Sequence, residues 1–139
     1  MDHLPATTIV RVARPSLDLV GAERFWMAGI GLEVLWRGDA TSEGGHRLTM
    51  LGRSTSCWHL ELVDDPEAAR AHPPGPEDLL VLYLGKPPAT AWWTQIEAAG
   101  GRRVPSRNPY WDRGGVTFQD PDGYLLVLTA RTWGTDDTH

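Results

Sequence analysis

Residues 115 to 128 leave the chain few ways to fold. Gly115-Val-Thr-Phe-Gln119 reads as a strand, Asp120-Pro-Asp-Gly123 as a tight turn, and Tyr124-Leu-Leu-Val-Leu128 as a returning strand with apolar residues on both faces. Asp120, Asp122 and Gly123 are turn-makers rather than catalytic groups, because aspartates accept local backbone donors and glycine tolerates positive φ. Just upstream, Asn108-Pro-Tyr-Trp111 is an aromatic-rich loop that feeds the hairpin.

Working backwards, the order of elements occurs twice. Residues 7–14 form a strand ended by Pro15, Asp18 caps a helix running from Leu19 to about Ala28, and Gly29 and Gly31 stop it. Strands follow at 32–36, 46–51 and 56–63. After a polar, proline-rich linker at 64–77, a strand at 78–84, a helix at 87–99, and strands at 102–106, 115–119 and 124–130 restate the order. The chain therefore reads as two βαβββ modules, 7–63 and 78–130, within one domain spanning residues 1–139. The helices exit through Gly31-Leu-Glu-Val34 and Gly101-Arg-Arg-Val104, a matched spacing that points to duplication.

Composition narrows the partners. Cys57 is the only cysteine, so an intrachain disulfide is excluded and a reducing compartment is expected. The first residues lack a basic region followed by an apolar segment, and no run of about 18 apolar residues occurs. A cytoplasmic chain without a membrane partner is the expectation. Eighteen acidic residues face 13 basic ones, of which only Lys86 is not arginine. Nucleic acid is thus not an expected partner.

Asp18-Leu-Val-Gly-Ala-Glu-Arg-Phe-Trp26, Gly31-Leu-Glu-Val34, His59-Leu-Glu61, Trp111 and Phe118-Gln-Asp-Pro-Asp-Gly123 together resemble the vicinal-oxygen-chelate superfamily of glyoxalases, bleomycin-resistance proteins and extradiol dioxygenases. The resemblance covers about residues 7 to 130. Arg11-Val-Ala-Arg-Pro15 and Asn108-Pro-Tyr-Trp111 resemble a small bacterial subgroup in particular. The resemblance implies an α+β fold in which the curled mixed sheets of two tandem βαβββ modules enclose a cavity, either within one chain or across a homodimer. A homodimer is expected here. Family register places Ile9, Arg11, Ala13, Cys57, His59, Glu61, Leu79, Val81, Tyr83, Leu125 and Val127 toward the cavity. It places Val10, Val12, Trp58, Leu60, Leu62, Leu126 and Leu128 under the helices.

Metal-using members of the family place ligands at positions that fall here on Arg11, Glu61, Val81 and Val127. Three of these cannot serve as ordinary divalent-metal ligands. Cys57, His59 and Glu61 share a strand face, but side chains two apart stand roughly 7 Å from one another and do not readily converge on one ion. No metal and no cofactor is expected. Arg11 is instead expected to replace the ion's charge and face Glu61, directly or through His59; the alternative is that Arg11 extends to solvent and Glu61 is a rim residue. His46 and His72 lie in loops, and His3 and His139 near the ends.

Of the seven tryptophans, Trp26, Trp58, Trp92, Trp93 and Trp133 are assigned to core packing or subunit contact. Trp36 and Trp111 are placed to reach a cavity mouth. Cys57 lacks a catalytic-thiol motif and reads as a small core hydrophobe. The expected function is metal-independent binding or sequestration of a small organic molecule such as an antibiotic, as in bleomycin-resistance proteins. Arg11, His59, Glu61, Tyr83, Tyr110 and Trp111 form its site. The alternative is a glyoxalase-like isomerase or lyase using His59 and Glu61 for proton transfer, with or without a divalent metal.

Overall fold

In the computed structural model, which describes residues 2–40 and 45–133, both halves carry the expected order of elements. Strand β1 (Val10–Ser16) leads into helix α1 (Leu19–Arg24), which widens into a π-helical segment over Phe25–Ile30. Strands β2 (Glu33–Gly38), β3 (Leu48–Gly52) and β4 (Trp58–Asp64) complete the first half. A short helix, α2 (Pro66–Ala71), precedes the second half. There β5 (Leu79–Tyr83), α3 (Thr90–Ala98), β6 (Arg102–Val104), β7 (Gly115–Gln119) and β8 (Leu125–Thr129) follow in turn. Each half is a four-stranded mixed sheet, ordered β1-β4-β3-β2 and β5-β8-β7-β6. In both, the first strand runs parallel to the last and the remaining neighbours are antiparallel.

Four local expectations are corrected. Pro15 does not end the first strand; it pairs opposite Val63 and the strand continues to Ser16. β1 is an edge strand, where a residue without an amide donor is tolerated. Asp18 occupies the N-cap position without a side-chain cap hydrogen bond. Gly29 lies inside the helical segment, and Gly31 at φ 101° terminates it. What Gly29 provides is proximity, since a Cβ there would stand 3.2 Å from Ala99 Cβ and 3.5 Å from Ile96 Cα. Finally, the segment 64–77 is not a bare linker. Asp65 accepts from Ala68 N at 3.1 Å and Pro66 occupies the first turn, which together start α2.

The two halves share one hydrophobic cluster. Ala22, Phe25, Trp26, Leu60 and Leu62 join Ile96, Val116, Phe118, Leu126 and Leu128 in it. The division of strand faces read from the sequence therefore holds for Leu60, Leu62, Leu126 and Leu128, with Val12 and Trp58 packed partly buried against them. Val10, at the start of its strand, is half exposed. Polar contacts also cross between the halves. Trp92 Nε1 donates to Gly29 O at 2.8 Å, and Gln95 Nε2 to Ala28 O at 2.9 Å. Among the described residues no helix is long and apolar enough to cross a membrane.

Candidate functional site

The parallel pairing of β1 with β4 sets Arg11 opposite His59 and Ala13 opposite Glu61. Arg11 Nε donates to His59 Nε2 at 3.1 Å, while Arg11 Nη1 lies 3.9 Å from Glu61 Oε1. Arg11 thus meets Glu61 directly and the His59 imidazole separately. Glu61 is largely covered, whereas half of the Arg11 side chain faces solvent. A ring nitrogen that accepts from a guanidinium cannot at the same time carry a proton or a metal, so the imidazole proton belongs on Nδ1. Nitrogen-15 NMR on His59 is expected to show an unprotonated Nε2 in the native chain. Arg11→Met is expected to release that tautomer preference; a protonated Nε2 in the native chain would refute the arrangement.

The residues at the positions that the resemblance assigns to a metal do not fit an ion. Arg11 is itself a cation, and Val81 and Val127, which lie opposite one another across β5 and β8, have no donor atoms. Among the described residues no cluster of three or more His, Cys, Asp or Glu is disposed to hold one. Cys57 is exposed, which corrects its reading as a core hydrophobe. His46 is engaged elsewhere, with Nδ1 3.2 Å from Asp64 O and Nε2 3.6 Å from Asp65 Oδ2. His72 is exposed at the end of α2, His3 is exposed, and His139 lies outside the described residues.

A second group gathers at one end of the other sheet. Asn108 Oδ1 accepts from Tyr110 N at 3.0 Å and Pro109 follows it, which folds Pro109–Asp112 into a single 3-10 turn. Gly115 lets that turn lie against the hairpin: a Cβ there would stand 2.6 Å from Trp111 O and 2.9 Å from Leu128 O. The ring centroids of Tyr110 and Trp111 are 4.9 Å apart, those of Tyr83 and Trp111 6.3 Å, and those of Tyr83 and Trp133 6.1 Å. The Arg131 guanidinium sits 4.0 Å from the Tyr110 centroid. Trp36 is half exposed on β2 and takes no part in these ring contacts. The sequence reading missed Arg131 and Trp133 here. Their signal was parity: continuing the alternation of Val127 and Thr129 past the strand end puts both odd positions on the side of Tyr83.

The Asp-Pro-Asp-Gly turn behaves as expected and also ties the halves together. Asp120 Oδ1 accepts from Asp122 N and Tyr124 N, both at 2.9 Å, and Gly123 has φ 94°. Asp122 Oδ1 accepts from Leu17 N at 2.7 Å, and the buried Arg14 lies 4.3 Å from the Tyr124 ring centroid. Burial pushes the Asp120 carboxyl up to about 6 and raises Asp122 as well; it lowers Arg14.

Comparison with known proteins supplies the context for this geometry. Residues 77–130 match the family described as YycE-like C-terminal domain. The uncharacterized protein YycE of Bacillus subtilis strain 168 is 34% identical over 120 residues, which is 86% of this chain and 85% of that protein. The crystal structure of a Bacillus subtilis YycE protein aligns with a TM-score of 0.75 at 29% identity, over 94% of this chain and 95% of that one. TnmS3, an antibiotic binding protein from Streptomyces sp. CB03234, aligns with a TM-score of 0.62 at 21% identity, over 91% and 98% of the two chains. The last likeness is one of fold.

Proposed function

Because this chain belongs to the vicinal-oxygen-chelate superfamily, we propose that it binds and sequesters a small organic molecule without a metal. The site is formed by Arg11, His59 and Glu61 on one sheet and Tyr83, Tyr110 and Trp111 on the other. The observation that carries this reading is the hydrogen bond from Arg11 to His59 Nε2. It occupies the lone pair that a general base or a metal ligand needs, and leaves the guanidinium's remaining donors and the imidazole's Nδ1–H to hold a ligand. A proton-transferring His59 would need that nitrogen free. The antibiotic-binding description of TnmS3 supports a ligand of similar class.

Curling of the two sheets around the ligand, closed by a second copy of the chain, completes the proposed cavity. Support comes from apolar side chains that a single copy leaves open: Ile9 at 65% exposure, Trp36 at 49% and Tyr83 at 39%. Burying such surface is what stabilises a homodimer.

Native mass spectrometry of protein purified without added metal or an affinity tag tests both parts. The expected result is a dimer carrying a stoichiometric organic species, recovered unchanged on denaturation. A stoichiometric divalent metal, or chemical conversion of the recovered molecule by fresh protein, would overturn the binding reading. A monomer that retains the ligand would overturn the closure by a second copy.

A further inference from the structure

We propose that the aromatic end of the second sheet selects a planar aromatic carboxylate, with Arg131 as the residue that reads the anion. This rests on the small-molecule reading above and names the chemical class that the site prefers. Arg131 follows β8, and its guanidinium is stacked on Tyr110, which fixes the plane in which its donors point. Its Nε is buried and has no acceptor among the described residues, a state that costs free energy. Arg113 lies 5.9 Å from the centroid of the same tyrosine. Among the described residues, none of the ion pairs engages either arginine. Two positive charges thus lie near one ring with no ion-pair partner among the described residues, in a chain whose net charge is −5. An anion bound beside Arg131 gains a charge-assisted hydrogen bond from its guanidinium.

Beside this charge lies the apolar half of the site. Trp111 and Trp133 each meet Tyr83, and Tyr83 and Trp133 remain exposed at 39% and 67%. Exposed aromatic faces next to a guanidinium with no ion-pair partner among the described residues favour a ligand that is flat and charged at one edge. A carboxylate conjugated to an aromatic ring lies close to the ring plane. One rigid molecule can then stack on the aromatic side chains while its two oxygens meet the arginine fork.

The test is titration of the full chain with 2-naphthoate and with its neutral isostere 2-naphthamide, followed by tryptophan fluorescence and by calorimetry. The native chain is expected to bind the carboxylate about tenfold more tightly than the amide, with a preference that shrinks as salt is added. Arg131→Gln is expected to equalise the two probes while amide affinity stays within about twofold, as for one lost charge-assisted contact. Arg131→Lys, which keeps the charge but not the fork, is expected to retain part of the preference and serves if the glutamine variant does not fold. Equal affinities in the native chain, or a preference that survives in a folded Arg131→Gln, would overturn the assignment. Failure of both probes to bind would also overturn it. The broader small-molecule reading falls only on the mass-spectrometric outcomes above, so the two failures are distinct.

Discussion

Replacing Phe25 with alanine is expected to lower the free energy of unfolding by about 3–5 kcal/mol, the range for truncating a fully buried phenylalanine. Its ring is completely covered and meets Trp26 edge to face at 4.9 Å. The residue is also where the halves of the chain meet. A Cβ on Gly101, at the exit of α3, would lie 2.9 Å from Phe25 Cε2, so a side chain from the first half is pressed against backbone of the second. The cavity left by truncation therefore opens into the shared cluster rather than into one module. Native-state hydrogen exchange on Phe25→Ala should show β4 and β8 amides losing protection together. Loss confined to the first half, with β8 unchanged, would mean that the modules unfold separately and that the shared cluster contributes little. Since domains of this size are stable by only about 5–15 kcal/mol, the variant should also show a large fall in Tm.

The second large effect is a pH dependence centred on Asp120. The residue is 4% exposed, and burial raises its carboxyl from the usual range to about 6. The folded state then binds a proton that the unfolded state has already released. Stability from this group is fully present below the unfolded value near 4 and is lost as pH rises through about 6. With a shift of about two units, the loss is on the order of 3 kcal/mol between pH 4 and pH 7. Asp120→Asn keeps an oxygen to accept from Asp122 N and Tyr124 N but carries no charge. Urea unfolding at several pH values should find the variant at least as stable as the native chain at pH 7.5. The stability slope between pH 4 and 7 should be shallower, with a remainder from Asp122, whose carboxyl is raised in the same direction. A variant less stable at pH 7.5, with the slope intact, would show that the Asp120 charge is stabilised by Arg14 rather than penalised by burial.

Much of the fold was legible because its signals are local. Alternation along β4 and β8 identified Leu60, Leu62, Leu126 and Leu128 as core, since a strand's side chains point alternately to its two faces whatever the rest of the chain does. The Asp-Pro-Asp-Gly hairpin was read from residue chemistry alone. Misreadings arose where one residue type serves two purposes. Gly29 can end a helix or let two helices touch, and only the presence of α3 decides for contact. Pro15 ends a central strand but is tolerated on an edge, and only the order β1-β4-β3-β2 makes β1 an edge. Cys57 reads as a small apolar residue until the strand's exposed start is seen.

By itself, then, the sequence determined the repeated βαβββ order, the core face of each sheet and the absence of donors at two of the four family metal positions. Each of these depends on residues within a few positions of one another or on side-chain chemistry alone. Tertiary structure decided which polar groups meet. Arg11 and His59 are 48 positions apart and touch because β1 and β4 pair in parallel at that register. A one-residue slip of β1 would have turned Arg11 to the opposite face, away from His59. Tyr83, Trp111 and Trp133 likewise form one cluster only because β5 pairs with β8 and Gly115 lets the aromatic turn fold down beside them. Pairing between distant strands is set by the packing of the whole core, which no local pattern encodes.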